Sequence, residues 1–201
     1  MDDPTPVSIL ILGDSGCGKS TFLSRLSLGQ RRHQQGAGEE PLPILRDVDQ
    51  PFIYDISLYR QPYRLEFYDV SYVHQHWTLL KPDVVVLAFD IASREGLGRL
   101  KQWRNDITRH FQRVSADGSS RGERIPVMML GLKRDLRVED EETIYPQEAY
   151  RIAQELRCDR YAECSAVTGE LIPEVFEDIA RIAAKTTTEA GGQSKGGCVI
   201  L

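Results

Sequence analysis

Eight residues, Gly13-Asp14-Ser15-Gly16-Cys17-Gly18-Lys19-Ser20, restrict what this chain can fold into more than any other stretch. They follow the apolar run Val7-Ser8-Ile9-Leu10-Ile11-Leu12 and precede Thr21-Phe22-Leu23-Ser24-Arg25-Leu26. The pattern is strand, glycine-rich loop, helix, with the spacing G-x-x-x-x-G-K-S. Glycines let the backbone curl until successive N–H groups point at one anion. A helix opening near Gly18 adds the positive end of its dipole at the same point. Lys19 supplies a point charge for the outer phosphates, and the Ser20 hydroxyl is a ligand for Mg²⁺. Thr21, one residue further, completes the expected cradle. The loop implies a nucleoside phosphate and leaves the base and the reaction open.

A chain of 201 residues is long enough for one α/β domain with a proper core. Net charge is −5 and no basic block stands out, which argues against nucleic acid as a partner. Cys17, Cys158, Cys164 and Cys198 show neither zinc-ligand spacing nor a disulfide framework, so a reducing, cytoplasmic setting is expected. Met1-Asp2-Asp3-Pro4 does not read as a signal peptide, and no apolar run approaches the ~20 residues that span a bilayer.

Strand and helix patterns alternate along the rest of the chain. The run 7–12 is apolar throughout, as in a central strand buried on both faces. A helix over about 18–28 is followed by Gly29 to Gln50, read as a long mobile loop. Residues 52–58 and 63–69 alternate around Gln61-Pro62 and predict a hairpin. Val70 to Pro82 is irregular or a short helix. Val84 to Phe89 and Val127 to Leu130 are further buried strands. Between them Ser93 caps a helix with Leu97, Leu100, Trp103, Ile107 and Phe111 on one face. That face makes Trp103 a core residue. Ser115 to Glu123 is a polar loop, and Glu139 to Glu142 a solvated turn. A helix from Pro146 turns Ala149, Ile152, Ala153 and Leu156 inward, Tyr161 to Cys164 is a short strand, and the last helix buries Ile172, Val175, Phe176, Ile179, Ile182 and Ala183. Residues from Thr186 to Gly197 are small and polar and are expected to be disordered. The alternation predicts an α/β fold: a doubly wound, mostly parallel six-stranded sheet with one antiparallel hairpin strand, its ligand at the carboxyl ends of the strands. The expected division is a nucleotide-binding domain over 1–185 and a flexible tail over 186–201.

The strand 127–130 leads into Gly131-Leu132-Lys133-Arg134-Asp135-Leu136. A carboxylate at Asp135 accepts N1–H and the exocyclic amine of guanine, a pair that adenine does not present. Each such charge-assisted bond contributes roughly 1.5–3 kcal/mol. One helix later, Glu163-Cys164-Ser165-Ala166 offers backbone N–H groups for the guanine carbonyl.

Taken in order, the phosphate loop, Asp69, the Lys133/Asp135 pair and Ser165-Ala166 resemble a Ras-superfamily small GTPase over about 7–185, nearest to the Rho kind. Tyr161 to Phe176 is similar to Rho proteins, Lys101-Gln102-Trp103 only loosely resembles their adjacent Lys-Trp pair, and Gly-Asp-Ser-Gly is also Rab-like. The span from Asp135 to Ser165 leaves no room for the extra helix Rho members insert there. The resemblance implies GTP and GDP as ligands, Mg²⁺ held by Ser20 and through water by Asp69, and GTP hydrolysis. It also implies effector and regulator proteins meeting residues 30–50 and 70–82.

Several positions depart from that family pattern. After Asp69 the family has Asp-x-x-Gly-Gln, whereas here Tyr72 stands for the glycine and Val73 for the glutamine that orients the attacking water. No threonine occurs between Thr21 and Thr78, and Asp47 falls nearest the place of the threonine that senses the γ-phosphate. Leu132 replaces the residue that ties to the phosphate loop, and Val167 replaces a lysine. These changes predict a very slow intrinsic hydrolase with a weak difference between its GDP and GTP forms. Cys198-Val199-Ile200-Leu201 fits a prenylation box whose terminal Leu favours geranylgeranyl, so a cytoplasmic protein partly associated with a membrane is expected. Two other readings stay open: a P-loop nucleoside or nucleotide kinase, and a scaffold that no longer turns nucleotide over.

Overall fold

A computed structural model of the chain describes residues 3–35, 41–58, 60–70, 80–111, 124–139 and 143–187. In chain order the elements are β1 Thr5–Leu12, α1 Lys19–Gln35, a 3₁₀ turn Asp47–Asp49, β2 Phe52–Leu58, β3 Gln61–Val70, β4 Val84–Asp90 and α2 Arg94–His110. They continue with β5 Val127–Leu132, a 3₁₀ turn Arg134–Leu136, α3 Pro146–Glu155, β6 Arg160–Glu163 and α4 Ile172–Thr186. The six strands form one sheet in the order β2-β3-β1-β4-β5-β6. β2 and β3 are antiparallel and every other neighbouring pair is parallel, as expected.

The continuous apolar strands are explained by a core on each face of the sheet. Val7, Ile9 and Ile11 of β1 pack with Phe22, Leu23 and Leu26 of α1 and with Val175, Ile179 and Ala183 of α4. Leu10 and Leu12 turn the other way, toward Leu97, Leu100 and Ile107 of α2 and Ala149 and Ala153 of α3. Each fully buried Leu, Ile or Phe contributes about 1.5–3 kcal/mol. All five side chains expected on the inner face of α2 are buried, and the Ser93 hydroxyl accepts from Gly96 N at 3.0 Å to cap that helix.

Tyr54 of β2 fixes how α1 lies on the sheet. Its hydroxyl donates to the carbonyl of Leu23 at 2.7 Å, and its ring meets Phe67 edge-on at 5.4 Å. The helix that opens at the phosphate loop is thereby tied to the outermost strand.

Two boundaries differ from expectation. α1 does not stop at Gly29 but continues to Gln35, which shortens the loop read over 29–50. An interior glycine costs a helix about 1 kcal/mol relative to alanine, and the Gln and Arg residues that follow are good helix formers. At the other end Thr186 still belongs to α4, its hydroxyl bonding the carbonyl of Ala183, so the expected tail begins too early. The loop 115–123, Tyr72 and Val73, residues 140–142 and the tail with Cys198 lie outside the described residues.

Candidate functional site

The loop between β1 and α1 lies at the carboxyl end of the parallel strands. Gly13, Gly16 and Gly18 have φ of 155°, 78° and 110°. At Gly13 a side chain is excluded outright, since a Cβ would stand 2.2 Å from the carbonyl oxygen of Ala88 on β4. The curl leaves the N–H groups of Ser15, Gly16, Gly18, Lys19 and Ser20 without an acceptor among the described residues. They gather where the axis of α1 begins, and such a concentration of unpaired donors is an anion site.

Lys19 is 3% exposed and folds back over the loop. Its Nζ donates to the carbonyls of Gly13 at 2.9 Å and Asp14 at 3.0 Å, and stands 3.8 Å from Asp69 Oδ1. Ser20 Oγ donates to Asp69 Oδ2 at 2.7 Å. Asp69 Oδ1 is buried and accepts no hydrogen bond among the described residues. Burial pushes the Asp69 carboxyl above the usual carboxylate range, against the opposing pull of Ser20 and Lys19. A buried carboxylate oxygen with no donor is costly. A divalent cation or its water shell satisfies it, so Ser20 and Asp69 fit a Mg²⁺ site. No group of three or more His, Cys, Asp or Glu gathers among the described residues. In Cys17, burial raises the thiol pKa, and the side chain packs under the loop as a small apolar group.

The second part of the candidate site, where the sequence places the purine, is assembled from β5, β6 and the turns that follow them. Lys133 adopts φ 60°, and its Nζ donates to Asp90 Oδ2 at 2.8 Å. Its stem lies along the phosphate loop, with Cε 3.6 Å from where a Gly18 Cβ would be. Leu132 touches the same glycine position at 3.6 Å, so the loop tie that a polar residue would supply is replaced by apolar packing. Ser165, fully buried, donates to Asp135 Oδ1 and accepts from Thr168 N at 3.1 Å. Arg134 N donates to the carbonyl of Cys164 at 3.1 Å, locking the Asp135 turn to the Ser165-Ala166 loop. Lys133, Asp135, Ser165 and Ala166 are therefore brought together beside the phosphate loop. The N–H groups of Ala166 and Val167 have no acceptor among the described residues. Arg137, half-buried, makes a bidentate pair with buried Glu163 at 2.8 and 2.7 Å beside this corner.

Three contacts were not foreseen from the sequence. Trp103 is a core residue, yet its indole Nε1–H donates to Asp14 Oδ1 at 3.2 Å, while Arg99 reaches Asp14 Oδ2 at 3.3 Å. The first variable residue of the phosphate loop is thus held by α2, across a cleft of about 180 Å³. Arg25 of α1 donates to the carbonyls of Ala166 and Val167, both at 2.5 Å. Gln50 stands opposite Asp69 in the continued β2–β3 register, and its side-chain amide takes both backbone groups of Asp69 at 3.1 Å. Isolated Arg, Trp and Gln residues carry no pattern that would have revealed these contacts in advance.

The segment 41–50 carries Asp47 in its 3₁₀ turn, close enough to Asp69 for its charge to oppose ionisation there. Gln50 and the bond from Ser24 Oγ to the carbonyl of Pro43 at 2.5 Å dock this segment on the domain. Ile44 and Val48 stand out from it, 91% and 82% exposed.

A family model described as the Ras family matches residues 69–185. The match starts at Asp69 and takes in the Lys133/Asp135 pair and Ser165-Ala166. Over nearly full length the chain is 24% identical to the GTP-binding protein RHO2 of Saccharomyces cerevisiae, with 96% of this chain and 95% of that protein aligned. It is 22% identical to the GTP-binding protein rho2 of Schizosaccharomyces pombe, covering 98% and 97%. With the sheet order as expected and the family model covering more than half of the sequence, the chain belongs to the Ras family, as a Rho-like member.

Proposed function

We propose that this protein binds GDP and GTP with Mg²⁺, hydrolyses GTP very slowly, and acts on partner proteins from a membrane surface. One observation carries the reading. Asp135, oriented by Ser165, sits in the same corner as the N–H groups of Ala166 and Val167, beside a phosphate loop in which the N–H groups of Ser15, Gly16, Gly18, Lys19 and Ser20, like those two, have no acceptor among the described residues. That arrangement complements a guanine at one end and a pyrophosphate at the other. The two relatives named as GTP-binding proteins support the choice of ligand.

Lys19, Ser20 and the loop N–H groups would hold the phosphates, and Ser20 and Asp69 would hold the Mg²⁺. A cation held there would supply neutralisation of phosphate charge. Asp135 accepts the two guanine N–H groups, and the stem of Lys133 covers the plane between base and loop. The slow rate follows from residue types. Val73 offers no hydrogen-bonding group to orient water, and Tyr72 adds a Cβ where close backbone approach is needed. A weak response to the γ-phosphate follows from the docked 41–50 segment, which Gln50 and Ser24 hold with protein groups alone. A ligand shifts a conformation only by its differential contacts.

The test is nucleotide identification by mass spectrometry on the purified protein, followed by single-turnover hydrolysis of loaded GTP. Bound guanine nucleotide with little turnover is expected. An empty site would favour a scaffold, adenine turnover with an acceptor would favour a kinase, and a rate ordinary for the family would reject the slow-hydrolase reading. Prenylation at Cys198 predicts partial membrane association that Cys198→Ser abolishes; a wild-type protein wholly in the soluble fraction of its native cell rejects the anchor.

A further inference from the structure

Arg25 has no place in the site as the sequence presents it. It lies on α1, one and a half turns beyond the phosphate-binding Lys19 and Ser20, and its guanidinium reaches the opposite end of the pocket. Nε donates to the carbonyl of Ala166 and Nη2 to that of Val167, both at 2.5 Å. These two peptides are trans, so fixing each carbonyl fixes the N–H on its far side. The Val167 carbonyl shares its peptide with the N–H of Thr168, which donates to Ser165 Oγ at 3.1 Å. Ser165 Oγ in turn donates to Asp135 Oδ1. The Ala166 carbonyl shares its peptide with the N–H of Val167, which has no acceptor among the described residues. One guanidinium thus ends a relay that runs from the phosphate helix through a peptide group and a buried hydroxyl to the carboxylate that meets the base.

We propose that Arg25 is a positioning residue for purine selection. It acts through the Thr168 N–H and Ser165 on the direction and acceptor strength of Asp135, and through the Ala166 carbonyl on the aim of the Val167 N–H. The inference rests on the guanine-binding reading above. A chain of hydrogen bonds polarises along its length, so a cation at the far end makes the Thr168 N–H a better donor. That stiffens Ser165 in the rotamer that serves Asp135. The planar fork suits two adjacent carbonyls, whereas an ammonium serves as a single point donor.

The test compares GDP with inosine diphosphate, which keeps the ring carbonyl and N1–H but lacks the exocyclic amine, and uses inorganic pyrophosphate as the phosphate-only probe. Wild type, Arg25→Ala and Arg25→Lys are titrated calorimetrically with each in Mg²⁺. The expected result is a GDP-over-inosine preference reduced by roughly tenfold in Arg25→Ala, incompletely restored in Arg25→Lys, with pyrophosphate affinity unchanged in both. Because the preference is a ratio within one protein, partial misfolding does not mimic it. An unchanged preference, full rescue by lysine, or equal losses for GDP and pyrophosphate would overturn the role. Wild type that binds pyrophosphate but shows no GDP preference would instead overturn the guanine reading on which it rests.

Discussion

The nucleotide side and the switch side of this domain meet at Asp69 but are held by different means. Residues 13–20, 133–136 and 164–168 are cross-linked by buried and part-buried directional contacts, including Lys19 on two carbonyls, Ser165 on Asp135 and Lys133 on Asp90. Residues 41–50 are attached by the Gln50 amide, one serine bond and Leu45 packed on the core, and they present Ile44 and Val48 to solvent. The first region has the unpaired donors that a ligand needs, while the second has already satisfied its anchors with protein groups. The two sides thus rest on different contacts, one on hydrogen bonds and ion pairs among three loops, the other on a short docked segment.

The sharpest way to break that comparison is Lys19→Ala. The lysine is the buried cation of the phosphate side, and its loss also leaves the Asp69 carboxylate without its neighbouring charge. Two charge-assisted phosphate contacts correspond to about 3–6 kcal/mol, so GDP affinity should fall by roughly 100- to 10,000-fold. Calorimetric titration of GDP with Mg²⁺ reads this directly. A loss under threefold would mean that the loop does not grip phosphate.

Tyr54 joins the two sides, since it ties α1 to the strand that follows the 41–50 segment. Burial pushes its phenol up to about 12. The unfolded chain releases that proton near 10, so between these values the folded state binds more protons and stability falls as pH rises. The contribution is fully present below pH 10 and lost on passing through 12, a difference of roughly 2–3 kcal/mol. Tyr161, also raised by burial, adds a similar slope. The clean readout is therefore the difference between wild type and Tyr54→Phe in urea unfolding from pH 9 to 11. The variant should show the smaller alkaline loss, and parallel curves would exclude the assignment.

Much of this arrangement is legible in the sequence, for identifiable reasons. Periodic burial reveals β1, α2 and α4 because every third or fourth side chain in a helix, or every residue of a doubly covered strand, must be apolar. The curl of the loop at Gly13, Gly16 and Gly18 is legible because it restricts residue types at fixed spacings. Helix α1 runs past Gly29 because one unfavourable residue does not outweigh its neighbours. Arg25, Gln50 and Trp103 were illegible because each makes a long side-chain reach to a backbone or carboxylate far away in sequence. Such contacts follow from the fold and leave no local signature.

Gln50→Ala addresses the switch side. It removes both amide bonds to the Asp69 backbone, with a net cost of about 1–2 kcal/mol. Chemical denaturation should register that loss while GDP affinity changes less than about threefold. Freed of its protein anchor, the 41–50 segment should also gain sensitivity to the γ-phosphate, seen as a wider gap in amide exchange between GDP-loaded and GTP-analogue-loaded protein. A gap no wider than in wild type would show that Gln50 is not what holds the segment.

The smallest effect is expected at Trp103, where the two sides are linked only through the phosphate loop. Trp103→Phe keeps most of the buried ring and deletes the indole N–H that Asp14 accepts at 3.2 Å. Arg99 still reaches the other carboxylate oxygen, so Asp14 is loosened rather than released. One hydrogen bond of this kind is worth about 0.5–1.5 kcal/mol, equivalent to a rise in GDP dissociation rate of roughly two- to twelvefold. Because the remaining Arg99–Asp14 contact is exposed, added salt should weaken it. The variant's dissociation rate should therefore rise with ionic strength more steeply than that of wild type. Fluorescent-GDP displacement at low and high salt measures both quantities. Equal salt slopes would show that the indole does not share the holding of Asp14, and would leave α2 as packing for the loop rather than a brace on it.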